Sequence, residues 1–472
     1  MLNLPAPLFA AVRRQHRLPS SVLVAGFIAS LLFAAPSYPA QALSSPLLLN
    51  DAIHKALEND PWLKGNQQQQ KAIEAKALAA RSLPSPMMTL GIDNLATDSF
   101  EFNQEPMTQL KVGVSQMLPR GNSLYLMNKK LSQKGQALPH QRQDHRRKLI
   151  LNVRQTWLDA YKAQESLALI ADNRILFEQL VDIAQSKYSS AVGATRQQDV
   201  VRAQLELTQL DDRVIALQQQ QEVSLYRLSE LINDGNVQSF YSPIGTESAA
   251  NKYLIDRTLP QFSPPPISST NTTALLSQHP AILAVEQHIS ASQTDIALAE
   301  QNYKPQFDLN LSYGYREDAP NGMERADFFS IKVGFDMPVF TDKRQDQELN
   351  SAVSTTEFIK TDKWLLLRKL QADLESAQSQ LQRLDERQQL YQNRLLPQMR
   401  AQSEASLNAY THDVGDFAEV MRSRIAELNT HIDHLSITVD RQKTIAQLDY
   451  FFTAATHNTD LTKNDSTGDE DE

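Results

Sequence analysis

Residues 307–315 read FDLNLSYGY, and apolar and polar or small side chains alternate strictly along this stretch. Successive side chains of a β-strand point to opposite faces of its sheet, so the alternation predicts a strand with one apolar face and one polar face. Residues 330–339 repeat the pattern, with apolar side chains at the odd positions from 331 to 339. Residues 88–92 and 110–115 alternate in the same way. The sequence therefore predicts four amphipathic strands of about ten residues each.

The chain also contains an internal duplication. Pro61 matches Pro280 at a separation of 219 residues, and Tyr188 matches Tyr410 at a separation of 222. Further matched pairs are Ala72 with Ala291, Pro86 with Pro305, Lys111 with Lys332, and Arg202 with Arg424. Each half is predicted to contain a helix, two strands and two further helices, because the strand patterns occupy equivalent places in the two halves.

The helices after the strands are predicted to be unusually long. A polar, Gln-rich stretch of roughly seventy residues follows Gly121, and another follows Asp342; at about 1.5 Å per residue each spans about 100 Å. The predicted turns fall at two Val-Gly pairs, Val192 with Gly193 and Val414 with Gly415. The returning helix of the first half carries a coiled-coil seam at Leu207, Leu210, Val214, Leu217, Gln221, Ser224, Leu228 and Leu231.

The N-terminal residues have the three-part layout of a secretory signal peptide. Basic residues 13–17 precede the apolar run 22–35, and the small-residue sequence AQA follows at 40–42. We therefore exclude residues 1–42 from the fold and expect the mature chain to leave the cytoplasm. The chain has no cysteine, so we expect neither disulfides nor a lipid anchor on a cysteine.

Composition and motifs argue against several function classes. The net charge of -9 disfavours a nucleic-acid partner. Hydrolase and nucleotide-binding motifs are not present. Only His431 with His434 and His140 with His145 lie near one another in sequence, and no third ligand is close enough to complete a zinc site. We therefore predict no enzyme activity, no cofactor and no metal site.

Four strands with one apolar face cannot close a barrel alone, so several copies of the chain must combine if the strands lie in a membrane. In such a transmembrane barrel the apolar face meets lipid. The polar face then lines the lumen with Lys111, Asp308, Asn310, Lys332 and Asp336. A soluble β-sandwich and a filamentous coiled coil remain as alternatives for the strands and for the helices. The function that such a barrel indicates is a channel. A periplasmic adaptor or scaffold protein without a pore is the alternative.

In combination, these motifs resemble the outer-membrane efflux proteins, the TolC-like channels, across nearly the whole mature chain. The motifs are Asp60-Pro61, His279-Pro280, Pro86, Pro305, Pro119-Arg120-Gly121, Pro338-Val339-Phe340, and Tyr-x-x-x-Val-Gly beginning at Tyr188 and Tyr410. The resemblance implies a mixed α and β homotrimer. A twelve-stranded transmembrane barrel, four strands per chain, continues into a coiled-coil periplasmic tunnel that docks to a periplasmic adaptor and an inner-membrane pump. Residues 93–119 most resemble the branch that serves heavy-metal exporters.

The predicted domain boundaries follow the duplication. The first repeat spans 43–235, a linker spans 236–278, the second repeat spans 279–456, and an acidic tail spans 457–472. We expect this tail to be disordered, because its composition is acidic and polar.

The tunnel gate is expected near the helix turns. Asp416 and Glu419 follow Gly415 and would form carboxylate rings around a threefold axis, although acids in a first helical turn are also ordinary. The resemblance matches Tyr410 and Asp199 to a contact that holds the tunnel shut. It matches Glu419 to an inner-ring aspartate of the family. Where the family has a second acidic residue this chain has Arg422, and where the family has a gate arginine this chain has Phe417. These departures leave Arg422 and Arg196 as alternative gate residues.

Overall fold

Two long helical hairpins and one small sheet make up most of the chain that the structure describes. The structure is a computed structural model and describes residues 46–189, 197–232, 255–265, 272–412 and 414–452. The predicted signal peptide, most of the linker 236–278 and the tail 457–472 lie outside these residues. Val192, Gly193 and Arg196, which were predicted to lie at or near the first turn, lie outside them as well.

The first half contains two short helices, two strands and the first hairpin. The elements are α1 (Leu49–Asn59), α2 (Pro61–Ala79), β1 (Met87–Asp93), β2 (Gln109–Leu118), α3 (Ser123–Ser189) and α4 (Gln197–Ile232). The sequence predicted one helix before the strands, whereas the structure has two. Pro61 explains the break, because a proline at the first helical position cannot extend a preceding helix.

The second half repeats this order. The elements are α5 (Thr272–Ser277), α6 (Pro280–Glu300), β3 (Phe307–Tyr315), β4 (Phe328–Phe335), α7 (Gln345–Leu390), α8 (Leu396–Thr411) and α9 (Phe417–Phe451). A short 3-10 turn follows α6 at Gln301–Tyr303, and a π-helical turn at Tyr391–Leu395 joins α7 to α8.

Helices α2 and α6 begin with the same arrangement, an N-terminal side-chain cap followed by a proline. The Asp60 carboxylate accepts a hydrogen bond from the Trp62 backbone N–H at 2.7 Å, and Pro61 follows as the first helical residue. In the second half, His279 Nδ1 accepts from the Ala281 backbone N–H at 3.2 Å. Such caps satisfy a backbone donor that has no partner inside the helix. The prediction that both X-Pro pairs open helices is confirmed.

All four strands form one antiparallel sheet in the order β1-β2-β3-β4. The two halves meet through the β2–β3 pair, in which Val114 lies opposite Leu311. Strand β3 has the predicted limits, but β4 ends at Phe335 rather than near Val339. Pro338 cannot donate to a strand ladder, which accounts for the early end.

The long helices are present as predicted. Helix α3 contains 67 residues, about 100 Å at 1.5 Å per residue, and Pro139 lies inside it. Its counterpart in the second half is interrupted by the π-helical turn, two residues before Pro397. A proline removes one backbone donor and crowds the preceding turn, so the wider π turn relieves the strain at this point.

Three apolar clusters run along the helices. One surrounds Trp157, whose indole N–H donates to the Leu47 carbonyl oxygen at 3.1 Å. A second lies near the hairpin ends and contains Tyr410 and Phe417, and a third joins α6, α7 and α9 around Leu374. Among the described residues, no helix combines the length and the apolar content that a membrane span requires.

Candidate functional site

The strand register separates the sheet into two chemically different faces. Paired residues of antiparallel strands lie on the same face, so the register fixes which side chains share a side. One face carries Met88, Leu90, Ile92, Leu110, Val112, Val114, Leu118, Phe307, Leu309, Leu311, Tyr313, Phe329, Ile331, Val333 and Phe335, with Gln116 as its polar member. This face is exposed in the single chain; Leu90 is 75% exposed and Ile331 is 64% exposed.

Four predicted lumen residues lie together on the opposite face. Lys111, Asp308, Asn310 and Lys332 share it with serines and glycines, and Asn310 lies directly opposite Lys332. Lys111 Nζ forms an ion pair with Asp93 Oδ2 at 3.1 Å. This face is more polar than the other, although it also carries three large apolar side chains, Met87, Met117 and Phe328.

The fifth residue, Asp336, lies just beyond the end of β4 and contacts neighbouring segments. Its carboxylate accepts a hydrogen bond from the Gln306 backbone N–H at 2.6 Å and forms an ion pair with Arg120. Asp336 thus joins the segment before β3 to the segment after β2, at the helical end of the sheet.

The turn of the second hairpin is tightly built around Gly415. Its backbone N–H donates to the Ala409 carbonyl oxygen at 2.9 Å, and a Cβ at position 415 would lie 2.8 Å from the Tyr410 nitrogen. Only glycine fits such a close approach without movement of the backbone. Val414 is 85% exposed at this turn, and Asp416 caps α9 by accepting from the Ala418 N–H at 3.3 Å.

The predicted acidic gate residue Glu419 is paired with a cation. Arg422 Nη2 lies 3.0 Å from Glu419 Oε2, one turn along α9, and both side chains are about half exposed. Arg422 Nε also donates to the Ala418 carbonyl oxygen at 3.2 Å. The pair leaves little net charge at this level of the helix, unlike an isolated ring of carboxylates.

The aromatic ring of Tyr410 contacts a second aromatic ring and a cation. Tyr410 is 6% exposed, its ring meets the Phe417 ring at 64° with 5.5 Å between centroids, and Lys187 Nζ lies 4.3 Å from the centroid of the Tyr410 ring. Among the described residues Tyr410 Oη has no hydrogen-bond partner. Asp199, the residue that the resemblance pairs with Tyr410, is buried in the first turn of α4. It does not form a hydrogen bond with Tyr410 Oη.

Lys187 is the residue at this site that the sequence analysis missed. The repeat that aligns Tyr188 with Tyr410 aligns Lys187 with Ala409, so the cation has no counterpart in the second half. That asymmetry was the available signal, but it does not indicate which ring the lysine contacts.

The histidines that were considered as ligands have other surroundings. His145 Nε2 contacts Asp60 Oδ2 at 2.6 Å, and its ring stacks on Trp62 at 4.0 Å. Burial, and secondarily the neighbouring His431, lower the pKa of His434. Within the described ranges, no group of three or more His, Cys, Asp or Glu side chains could hold a metal ion.

Comparison with solved structures gives long matches at low sequence identity. The channel protein CusC matches with a TM-score of 0.70 and 14% identity, over 86% of this chain and 91% of the other. The outer membrane protein VceC of Vibrio cholerae matches with a TM-score of 0.69 and 12% identity, over 86% and 95%. The open MtrE outer membrane channel of Neisseria gonorrhoeae matches with a TM-score of 0.66 and 16% identity, over 86% and 88%.

The chain has the TolC-like fold. No protein-family model matches the sequence, and no curated protein is similar to it. At identities this low the likeness establishes the fold rather than the function. The predicted resemblance is therefore confirmed at the level of structure. In the TolC-like fold of this chain, the amphipathic sheet lies at one end of the long helices, and the residues considered for a gate lie at the other.

Proposed function

We propose that this chain is the outer-membrane channel subunit of a tripartite efflux system. The observation that carries the proposal is the sheet, which exposes an apolar face interrupted by the polar Gln116 and leaves β1 and β4 unpaired at its edges within the described residues. Open edges and an exposed apolar face are unfavourable in water, and a lipid-embedded barrel removes both. The TolC-like fold supports the same role.

Three copies would close the barrel. The number of copies follows the resemblance to the TolC-like channels and not the strand count: when β4 of each of three copies pairs with β1 of the next, the barrel has twelve strands, and this homotrimer is the assembly we propose. The polar face, with Lys111, Asp308, Asn310 and Lys332, then lines the lumen, and the apolar face contacts outer-membrane lipid. Asp336 lies at the lower rim of this lumen.

The long helices would continue the barrel into the periplasm as a tunnel. The repeats 43–235 and 279–456 would each supply one hairpin, joined by the linker 236–278. We propose that the tunnel conducts substrates passively, that a periplasmic adaptor docks to it, and that an inner-membrane pump supplies both the energy and the choice of substrate. Service to a heavy-metal exporter remains a prediction from residues 93–119.

The tips of the hairpins are the proposed gate. Asp416, Glu419 and Arg422 occupy the start of α9, where three copies would bring them close to the axis. Arg196 and the Val192-Gly193 turn belong to the same region by sequence. Tyr410 and Asp199, both buried, are proposed to hold the tip shut by packing.

Membrane extraction followed by conductance measurement tests the channel. We expect the protein to remain in outer membranes after carbonate washing, to run as a heat-modifiable trimer, and to conduct in a planar bilayer. If the folded protein is removed from outer membranes by carbonate and never conducts, the adaptor or scaffold hypothesis is favoured instead.

Matched charge variants test whether the tip lies on the conduction path. Arg422→Gln leaves Glu419 unpaired, so we expect the reversal potential to shift toward cation selectivity. Glu419→Gln leaves Arg422 unpaired and should shift the reversal potential the opposite way. If both variants conduct with wild-type selectivity, these residues do not line the path.

A further inference from the structure

Three side chains from three helices meet near the end of the second hairpin. Lys187 lies in the last turn of α3, Tyr410 in the last turn of α8, and Phe417 at the first position of α9. Lys187 Nζ lies 4.3 Å from the centroid of the Tyr410 ring, and the Phe417 ring packs against the same ring at 64°. We call these three residues the aromatic latch.

The contact between Lys187 and Tyr410 joins the two hairpins. Lys187 belongs to the hairpin α3–α4, whereas Tyr410 and Phe417 belong to the hairpin α8–α9. A cation over an aromatic face is attracted by the negative charge of the π system, and the attraction strengthens as water is removed. Tyr410 is 6% exposed and Phe417 is 2% exposed, so the ring face is largely shielded from water.

The tyrosine hydroxyl does not supply this contact. Tyr410 Oη is buried and has no hydrogen-bond partner among the described residues. A buried hydroxyl without a partner is unfavourable, so its hydrogen bonding does not explain why a tyrosine stabilises this packing. The useful part of the side chain is therefore its ring, which contacts the Lys187 cation and makes an edge-to-face contact with the Phe417 ring.

We propose that the aromatic latch holds the second hairpin against the first and thereby keeps the tip of the channel closed. The inference rests on the proposed function, because it assumes that the tip controls conduction. It makes Lys187 a positioning residue of the gate. At position 417, where the resemblance implies a gate arginine, this chain has the aromatic ring of Phe417. The cation of the latch is Lys187, from α3.

Paired variants separate the ring from the hydroxyl and the charge from the side-chain length. Tyr410→Phe keeps the ring and Lys187→Arg keeps the cation, so both should conduct like wild type in a planar bilayer. Tyr410→Leu removes the ring, and Lys187→Met keeps the length without the charge. These two should raise the open fraction about threefold to thirtyfold, as the loss of a cation–π attraction implies.

Coupling between the two positions provides a stricter readout. If the latch is correct, Lys187→Met has a smaller effect in the Tyr410→Leu background than in wild type, because the ring that the cation contacts is already gone; equal effects in the two backgrounds contradict the latch. Lys187 is half-buried, so its variant is expected to fold even if Tyr410→Leu does not, and trimer formation on a heat-modifiability gel checks each protein.

Different failures have different meanings. If Tyr410→Phe opens the channel as much as Tyr410→Leu, the hydroxyl matters and the aromatic latch is wrong. If wild type conducts and Lys187→Met behaves identically, the latch is wrong while the channel stands. If folded wild-type trimers never conduct, the proposed function falls and the latch falls with it.

Discussion

An arginine should disrupt trimer assembly on one face of β2 and be tolerated on the other. Val114 lies on the apolar face, opposite Met88 and Leu311, near the middle of the strand. Its neighbour Ser115 lies on the polar face, opposite Met87 and Asn310. Val114→Arg and Ser115→Arg therefore introduce the same side chain one residue apart, and in the proposed barrel the first would face lipid and the second the lumen.

The strand dimensions set the expected size of the effect. Strand β2 has 10 residues. At about 3.3 Å per residue and a tilt of about 40° they cover roughly 25 Å of membrane thickness, close to the apolar band of outer-membrane barrels. Val114 then lies near the bilayer midplane, where an arginine costs about 2–4 kcal/mol. Three copies in one trimer raise the cost to roughly 6–12 kcal/mol, whereas an arginine in the lumen should cost little.

Trimer yield in outer-membrane extracts, read from heat-modifiable bands, measures the difference. We expect Val114→Arg to lose most trimers and Ser115→Arg to assemble like wild type. The assignment of faces is refuted if Ser115→Arg abolishes assembly while Val114→Arg tolerates it. If both variants assemble normally, the sheet does not lie in lipid and the barrel itself is refuted.

Three further predictions concern packing and titration. Gly415→Ala forces a Cβ to within 2.9 Å of the backbone of the preceding helical turn, so the turn should weaken by about 1–3 kcal/mol and be cut faster by protease; Gly65→Ala, which meets nothing within 4 Å, is the control and should not destabilise. Trp157→Phe removes the indole donor to the Leu47 carbonyl oxygen, which keeps only the longer hydrogen bond from the Asp256 N–H at 3.4 Å, so the free energy of unfolding should fall by about 0.5–1.5 kcal/mol in a denaturant titration; an unchanged free energy contradicts it. Burial lowers the pKa of His279, so the folded protein favours the neutral imidazole. The stability that the neutral His279 contributes above its ordinary pKa of about 6.5 is therefore lost as the pH falls. His279→Asn, which can still cap α6, should therefore show a smaller drop in melting temperature between about pH 7 and pH 5 than wild type does; an equal drop would assign the acid sensitivity elsewhere.

The strands and long helices were predictable because their patterns are local. Strict alternation over residues 307–315 marks a strand whatever its neighbours are, and the limits of β3 agree with it. The Asp60-Pro61 and His279-Pro280 pairs open helices through contacts within three residues, so they too can be read from sequence.

Features that depend on relative rotation of helices were not predictable. Helix α3 continues through Pro139 as one α-helix, whereas the matching stretch of the second half departs from α-helical geometry at Tyr391–Leu395, ahead of Pro397. The partners of Lys187 and Glu419 depend on which way each helix faces. Lys187 reaches a ring more than 200 residues away in sequence, whereas Glu419 pairs locally with Arg422. Charge type alone could not distinguish these outcomes.

The unpaired edges of the sheet also constrain how the protein is made. If the chain is exported as proposed, it carries its apolar face and two open strands through the aqueous periplasm, where such surfaces associate with one another indiscriminately. The helices bury their own apolar clusters within one chain, so we expect them to fold first and to keep the sheet soluble until partners arrive. In the proposed homotrimer, closing the ring from three chains would make assembly steeply dependent on subunit concentration. A weakened strand would then appear first as slow or aborted assembly at low expression, before any loss of stability in the finished channel.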